Sequence, residues 1–176
     1  GIGQALAIVF ALIGLFGNPL LMLVAVFIFL AASGEAGYVP ARDYMRGYRY
    51  TCLEQRVSKA IVLDDAGLWQ SVIQSLPAHL DSEGLAKYFA DMRQGSDVLT
   101  AYVLTIADEA GLALPDEVKN RMRAGLANFI QGKISRDSAL PTADITLRKL
   151  AAFAALSNMD PAPDPLWLTS ITIEPN

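Results

Sequence analysis

Two apolar runs open the chain, and every basic residue lies beyond them. Ala5–Phe16 and Leu20–Ala32 are uninterrupted stretches of 12 and 13 residues without a polar side chain, separated by Gly17-Asn18-Pro19. From Gly1 to Gly37 the only formal charge is Glu35. As one helix, Ala5–Ala32 would extend roughly 42 Å, more than a hydrocarbon core of about 30 Å, and each half alone is too short to span. Gly-Asn-Pro marks a turn or a kink. Neither run has the polar stripe of a surface helix. The pattern predicts membrane contact through residues 5–32, by one tilted or kinked span or by a short hairpin. A buried pair of core helices is the alternative. Ala31-Ala32-Ser33-Gly34 has the small residues of a signal cleavage site, but the basic residues that open a secretory signal are missing. The chain therefore divides near residue 38, into a hydrophobic segment 1–37 and a polar part 38–176.

The polar part carries helical spacing. Cys52–Asp65 places Val57, Ala60, Ile61 and Asp64 near one face, and Leu68–Leu76 repeats the period with Leu68, Trp69, Val72, Ile73 and Leu76 before Pro77 stops it. Asp81–Gly95 has two glycines and weak periodicity, and reads as irregular. Ser96 or Asp97 caps a helix with a stripe of Val98, Leu99, Tyr102, Val103, Ile106 and Ala110, closed by Gly111. Pro115-Asp116-Glu117 opens the next, with proline at the first helical position and acids in the first turn. Its stripe is Val118, Met122, Leu126, Phe129 and Ile130. A last helix runs over about 143–157, carrying Ile145, Leu150, Phe153 and Ala154. The segment Asp160–Pro165 is proline-rich and nonhelical, and Ile171–Ile173 is a short extended piece. No alternation long enough for a sheet occurs, so the predicted class is all-α, built from antiparallel helix hairpins.

Composition narrows the chemistry. Hydrophobic residues make up 53% of the chain and charged residues 18%, which excludes disorder and a collagen-like repeat. A net charge of -4 excludes nucleic-acid binding driven by bulk positive charge. One cysteine excludes an internal disulfide framework, and one histidine, His79, excludes a site that needs two. His79 is expected to be structural, since nothing in the sequence places it as a base for Cys52. No cofactor or metal is called for.

Cys52-Leu53-Glu54-Gln55 places a thiol and a carboxamide three residues apart at a helix start. Attack of the Cys52 sulfur on the Gln55 side-chain carbonyl, with loss of ammonia, would form an internal thioester. Thiolate leaves readily, so this bond acylates any amine or hydroxyl that reaches it. It survives only if water is kept away, and Tyr44, Tyr48 and Tyr50 are the upstream candidates for that shield. A small buried hydrophobe is the alternative role for Cys52.

The surrounding sequence adds two resemblances. Tyr48-Arg49-Tyr50-Thr51-Cys52-Leu53-Glu54-Gln55-Arg56-Val57-Ser58-Lys59-Ala60 resembles the thioester-helix segment of bacterial alpha-2-macroglobulins. Gly95-Ser96-Asp97-Val98-Leu99-Thr100-Ala101-Tyr102-Val103-Leu104 is similar to a downstream helix of that family, and Ser138–Leu156 (SALPTADITLRKLAAFAAL) to a later one. The likeness covers about 130 residues. It implies a thioester domain, part of an α/α toroid of helix hairpins, in an endopeptidase inhibitor that covalently captures attacking proteases. Cys52 and Gln55 take the roles of thioester partners. Arg49 stands where the family usually has proline between two aromatics. No residue matches the histidine that steers acyl transfer to hydroxyls in the complement branch, so lysine amines are the expected targets. In this picture the last helices, Leu150 and Phe153 among them, have fewer partners than a closed ring would supply.

The hydrophobic segment, with its pattern GQALA…GLFGNP…FIFL…EA, resembles the last transmembrane part of site-2-protease-like intramembrane metalloproteases. That family holds zinc on an H-E-x-x-H helix, which this chain lacks, so the resemblance implies a catalytically dead membrane fragment. Arg42, Arg46, Arg49 and Arg56 after the runs vote for a cytoplasmic polar part, whereas the macroglobulin resemblance implies a bacterial inner-membrane protein whose thioester faces the periplasm. A non-functional fusion of two fragments and a membrane-tethered thioester module both account for the pair.

Overall fold

Short polar side chains and glycines punctuate the second half of the chain, and helices start or stop where they satisfy backbone groups. The computed structural model describes residues 8–9, 43–47, 51–137 and 145–171. The chain clusters into two units, Gly1–Arg49 and Tyr50–Asn176. In the first, residues 8–9 and 43–47 are helical, Ile8 and Val9 are exposed, and Arg46 pairs with Asp43 at 3.0 Å. The rest of the segment expected in the membrane lies outside the described residues. Among those described, no helix is long and apolar enough to cross a membrane.

The second unit contains α1 (Leu53–Leu63), α2 (Ala66–Ser75), a 3-10 turn (Leu76–His79), α3 (Asp97–Glu109), α4 (Asp116–Ile130), α5 (Ile145–Ser157) and a closing 3-10 turn (Pro165–Ser170). Only isolated bridges, Leu80 with Ala86 and Ala86 with Ser96, interrupt this pattern among the described residues. The class is all-α. Helix α1 packs on α2 and α3, and α5 packs on both α3 and α4.

Capping explains the boundaries. The Asp65 carboxylate accepts the N–H groups of Gly67 and Leu68 at 2.9 and 3.0 Å, which starts α2 at Ala66 rather than at Leu68. Asp64, expected on the face of α1, instead ends that helix in the left-handed conformation at φ 52°. Ser96 caps α3 by accepting the Leu99 N–H, and Gly111 follows its end at φ 65°. Pro115 sits at the N-cap of α4, one position before the expected one. The tail beyond α5 is pinned to α4 by Arg123, which donates to the Asp160 and Pro161 carbonyls at 2.6 Å each.

The stripe of α4 is buried as its period predicts: Val118, Met122, Leu126, Phe129 and Ile130. That of α3 is rotated. Leu99, Thr100, Val103, Leu104 and Ala107 are buried, Val98 and Ala110 are exposed, and Tyr102 and Ile106 lie on the flank. Thr100 joins the core because its hydroxyl is fully used, accepting the Ala86 N–H at 2.7 Å and donating to the Ser96 carbonyl at 2.6 Å.

Helix α5 buries Thr146, Arg148, Ala152, Ala155 and Leu156, while Ile145, Leu147, Leu150 and Ala154 are exposed and Phe153 is half-buried against the core. Of the apolar residues the sequence sets on this helix, Ile145, Leu150 and Ala154 thus face away from the core. A helix apolar on nearly every side has no period to read, and the buried Arg148 selects the side that faces inward. Leu150→Lys is accordingly expected to change unfolding free energy by no more than about 0.5 kcal/mol, as at other exposed sites. Urea titration checks this, and a loss typical of a core leucine would put Leu150 in the core.

Candidate functional site

Cys52 is the N-cap of α1, with an extended backbone (φ -66°, ψ 157°), and its side chain caps no N–H group. Its carbonyl accepts the Arg56 N–H at 3.0 Å, the first bond of the helix. Gln55 falls at the third helical position. In a capping box the side chains of these two positions reach toward each other across the first turn, so an i, i+3 pair placed here brings thiol and carboxamide into one locality. Cys52 is buried and Gln55 half-buried, with Glu54 exposed between them. The first-turn N–H groups that lack helical partners lie at the same end.

Tyr48 and Tyr50 lie outside the described residues, and Tyr44 is exposed. An aromatic that sequence reasoning missed takes up position from downstream: the Leu53 N–H donates to the Tyr88 carbonyl at 2.9 Å, tying Tyr88 to the residue after Cys52. Tyr88 is half-buried against the core. Burial first, then the charge of Glu54, raises its pKa above that of an ordinary phenol; Cys52 and Asp97 add to this and the Ser96 side chain works against it. The signal was the Tyr88-Phe89 pair, the only aromatics in the loop of residues 80–96. His79 is buried, with Nδ1 3.0 Å from the Ser75 carbonyl oxygen within its own turn.

The loop that delivers Tyr88 is rigidly organised by Asp81. One carboxylate oxygen accepts the Glu83 and Leu85 N–H groups, each at 2.9 Å, and the other accepts the Gly95 N–H and an Arg136 N–H, each at 2.8 Å. Arg136 also donates to the Gly95 carbonyl at 3.1 Å and pairs with Glu83. Desolvation would raise the Asp81 pKa, but the Gly95, Arg136, Leu85 and Glu83 hydrogen bonds outweigh it and hold the carboxyl below its ordinary value. Two glycines permit the packing. A Cβ on Gly84 (φ 87°) would lie 2.2 Å from the Arg121 carbonyl oxygen, and one on Gly95 2.2 Å from that of Leu85.

A cavity of about 380 Å³ lies beside this loop, with Tyr88, Ser96, Asp97, Val98, Arg136 and Arg148 in its wall. Asp97 and Arg148 form a buried bidentate pair, Nε to Oδ2 at 3.0 Å and Nη2 to Oδ1 at 2.5 Å, and the guanidinium stacks over Phe129 at 5.3 Å. Ser58 and Tyr102 hydroxyls meet at 2.7 Å. The three segments quoted from the sequence thus touch: Ser58 of the first meets Tyr102 of the second, and Asp97 of the second meets Arg148 of the third. Among the described residues no group of three or more His, Cys, Asp or Glu could hold a metal ion. The chain matches no protein-family model, no curated protein and no solved structure.

Proposed function

We propose that Cys52 and Gln55 form an internal thioester and that the chain acts as a covalent-capture module of the alpha-2-macroglobulin type. The observation that carries this reading is the placement of a buried thiol at the N-cap and a carboxamide three residues later on the same helix start. The meeting of the three resembling segments around that helix supports it.

The chemistry balances with these residues alone. The Cys52 sulfur adds to the Gln55 side-chain carbonyl carbon, the C–N bond breaks, and ammonia leaves with the thiol proton. In capture, a lysine amine of the attacking protease adds to the same carbon and the C–S bond breaks. An isopeptide bond forms, and the displaced amine proton ends on the Cys52 sulfur. The module is an inhibitor of endopeptidases in this reading, set in a partial α/α toroid. Residues 5–32 would anchor it in a bacterial inner membrane with the thioester on the periplasmic face.

Intact mass tests it. The purified chain is expected to be lighter than its sequence by about 17 Da, one ammonia, and to release one titratable thiol on treatment with methylamine. A chain at full sequence mass with its thiol free from the start would overturn the assignment.

A further inference from the structure

We propose that Lys87 is a positioning residue for the Cys52–Gln55 pair, holding the bend that offers the Tyr88 carbonyl to the first turn of α1. The inference rests on the thioester reading and deepens it, by naming what fixes the turn on which the two side chains must meet. The first N–H groups of a helix have no partner within it, and a side chain at the N-cap ordinarily takes one of them. The N-cap here is Cys52, whose side chain makes no such bond. The sulfur stays uncommitted, and the cap comes from a distant loop: the Leu53 N–H donates to the Tyr88 carbonyl at 2.9 Å.

The chain bends at Tyr88 and Phe89, and Lys87 spans that bend. Its N–H donates to the His79 carbonyl at 2.7 Å, and its Nζ donates to the Ala90 carbonyl, also at 2.7 Å. Lysine is rarely buried unless its charge is paired. Lys87 is only 9% exposed, yet among the described residues it has no carboxylate partner. Its bond to Ala90 ties the exposed far side of the bend, Phe89 and Ala90, back to the buried near side. The next tie along the loop, from the Met92 N–H to the Phe89 carbonyl, is longer at 3.2 Å and lies among exposed residues. Opening the bend would withdraw the Tyr88 carbonyl and let the first turn of α1 fray. A displacement of about 1 Å between reacting groups is enough to slow a reaction about 100-fold.

The test follows two rates on the whole chain. Ammonia opens the thioester by adding to the acyl carbon, which restores the Cys52 thiol and the Gln55 carboxamide. After its removal, the renewed loss of about 17 Da reads ring closure. Amide hydrogen exchange on the opened chain reads the Leu53 N–H. Lys87→Met keeps an unbranched side chain without the donor. It is expected to speed Leu53 exchange by about tenfold or more and to slow closure by about tenfold. The Met122 and Leu126 amides of α4 should stay within about threefold of the parent. Lys87→Gln, whose donor sits one bond nearer the backbone, should fall between Lys87→Met and the parent in both rates. Equal acceleration at Leu53 and in α4, or a variant that does not fold, makes Lys87 a general stabiliser and overturns the proposal. Unchanged Leu53 exchange, or unchanged closure despite faster exchange, overturns it too and leaves the thioester standing. A parent chain that never shows the deficit removes the thioester reading and the positioning role together.

Discussion

Arg148→Ala is expected to lower unfolding free energy by about 3–5 kcal/mol, because it leaves a buried carboxylate without its counter-charge. Asp97 is 1% exposed, and both of its oxygens are taken by the Arg148 guanidinium. Asp97 also opens α3, where the helix N-terminus offers a carboxylate about 0.3–1 kcal/mol, too little to replace the lost partner. The guanidinium plane lies over Phe129, so its removal also opens a gap between α4 and α5. For a domain whose whole stability is about 5–15 kcal/mol, the single substitution removes a large share. The double variant Asp97→Leu with Arg148→Met should recover much of that loss, since a matched apolar pair carries no desolvation penalty. Urea unfolding of the two variants checks both statements. A loss under about 1 kcal/mol for Arg148→Ala would mean that water reaches Asp97.

Asp81→Asn is expected to cost about 2–4 kcal/mol and to flatten the acid limb of stability. The carboxylate accepts four hydrogen bonds, three from backbone and one from Arg136. Asparagine turns one of the two acceptors into a donor facing donors. The sign of the pH effect follows from the lowered pKa. Asp81 binds its proton less readily folded than unfolded, so its contribution is complete above the ordinary carboxylate value of 3.8 and disappears as pH falls through the lower folded value. Parent stability should therefore drop below about pH 4, and Asp81→Asn should drop less steeply over the same interval. Thermal unfolding from pH 7 to pH 2.5 is the measurement. Identical acid limbs in the two proteins would remove Asp81 from the titration.

Much of the helical framework was legible because its signals are local. Ser96, Gly111 and the acids after Pro115 act on backbone groups within a turn of themselves, and the stripe of α4 needed only its own period. The placement of Cys52 and Gln55 at a helix start was legible for the same reason, since residues three apart there are neighbours whatever surrounds them.

The face of α5 was not legible. Apart from Thr146, Arg148 and Lys149 every residue from Ile145 to Leu156 is apolar, so the inward side is chosen by Arg148 finding Asp97, 51 residues earlier. The loop of residues 80–96 read as irregular, and it is, but its order comes from Asp81 meeting Gly95 and Arg136, 14 and 55 residues away. Tyr88 was overlooked because it is 36 residues beyond Cys52 and reaches it only when that loop folds back onto α1. Sequence alone therefore determined most of the helices, the caps at Ser96 and Gly111 and the spacing of Cys52 and Gln55, all set by forces that act within a turn. Tertiary structure decided which helix faces are buried and which loop is tied to the start of α1, because buried charges and backbone groups must find partners wherever the chain brings them.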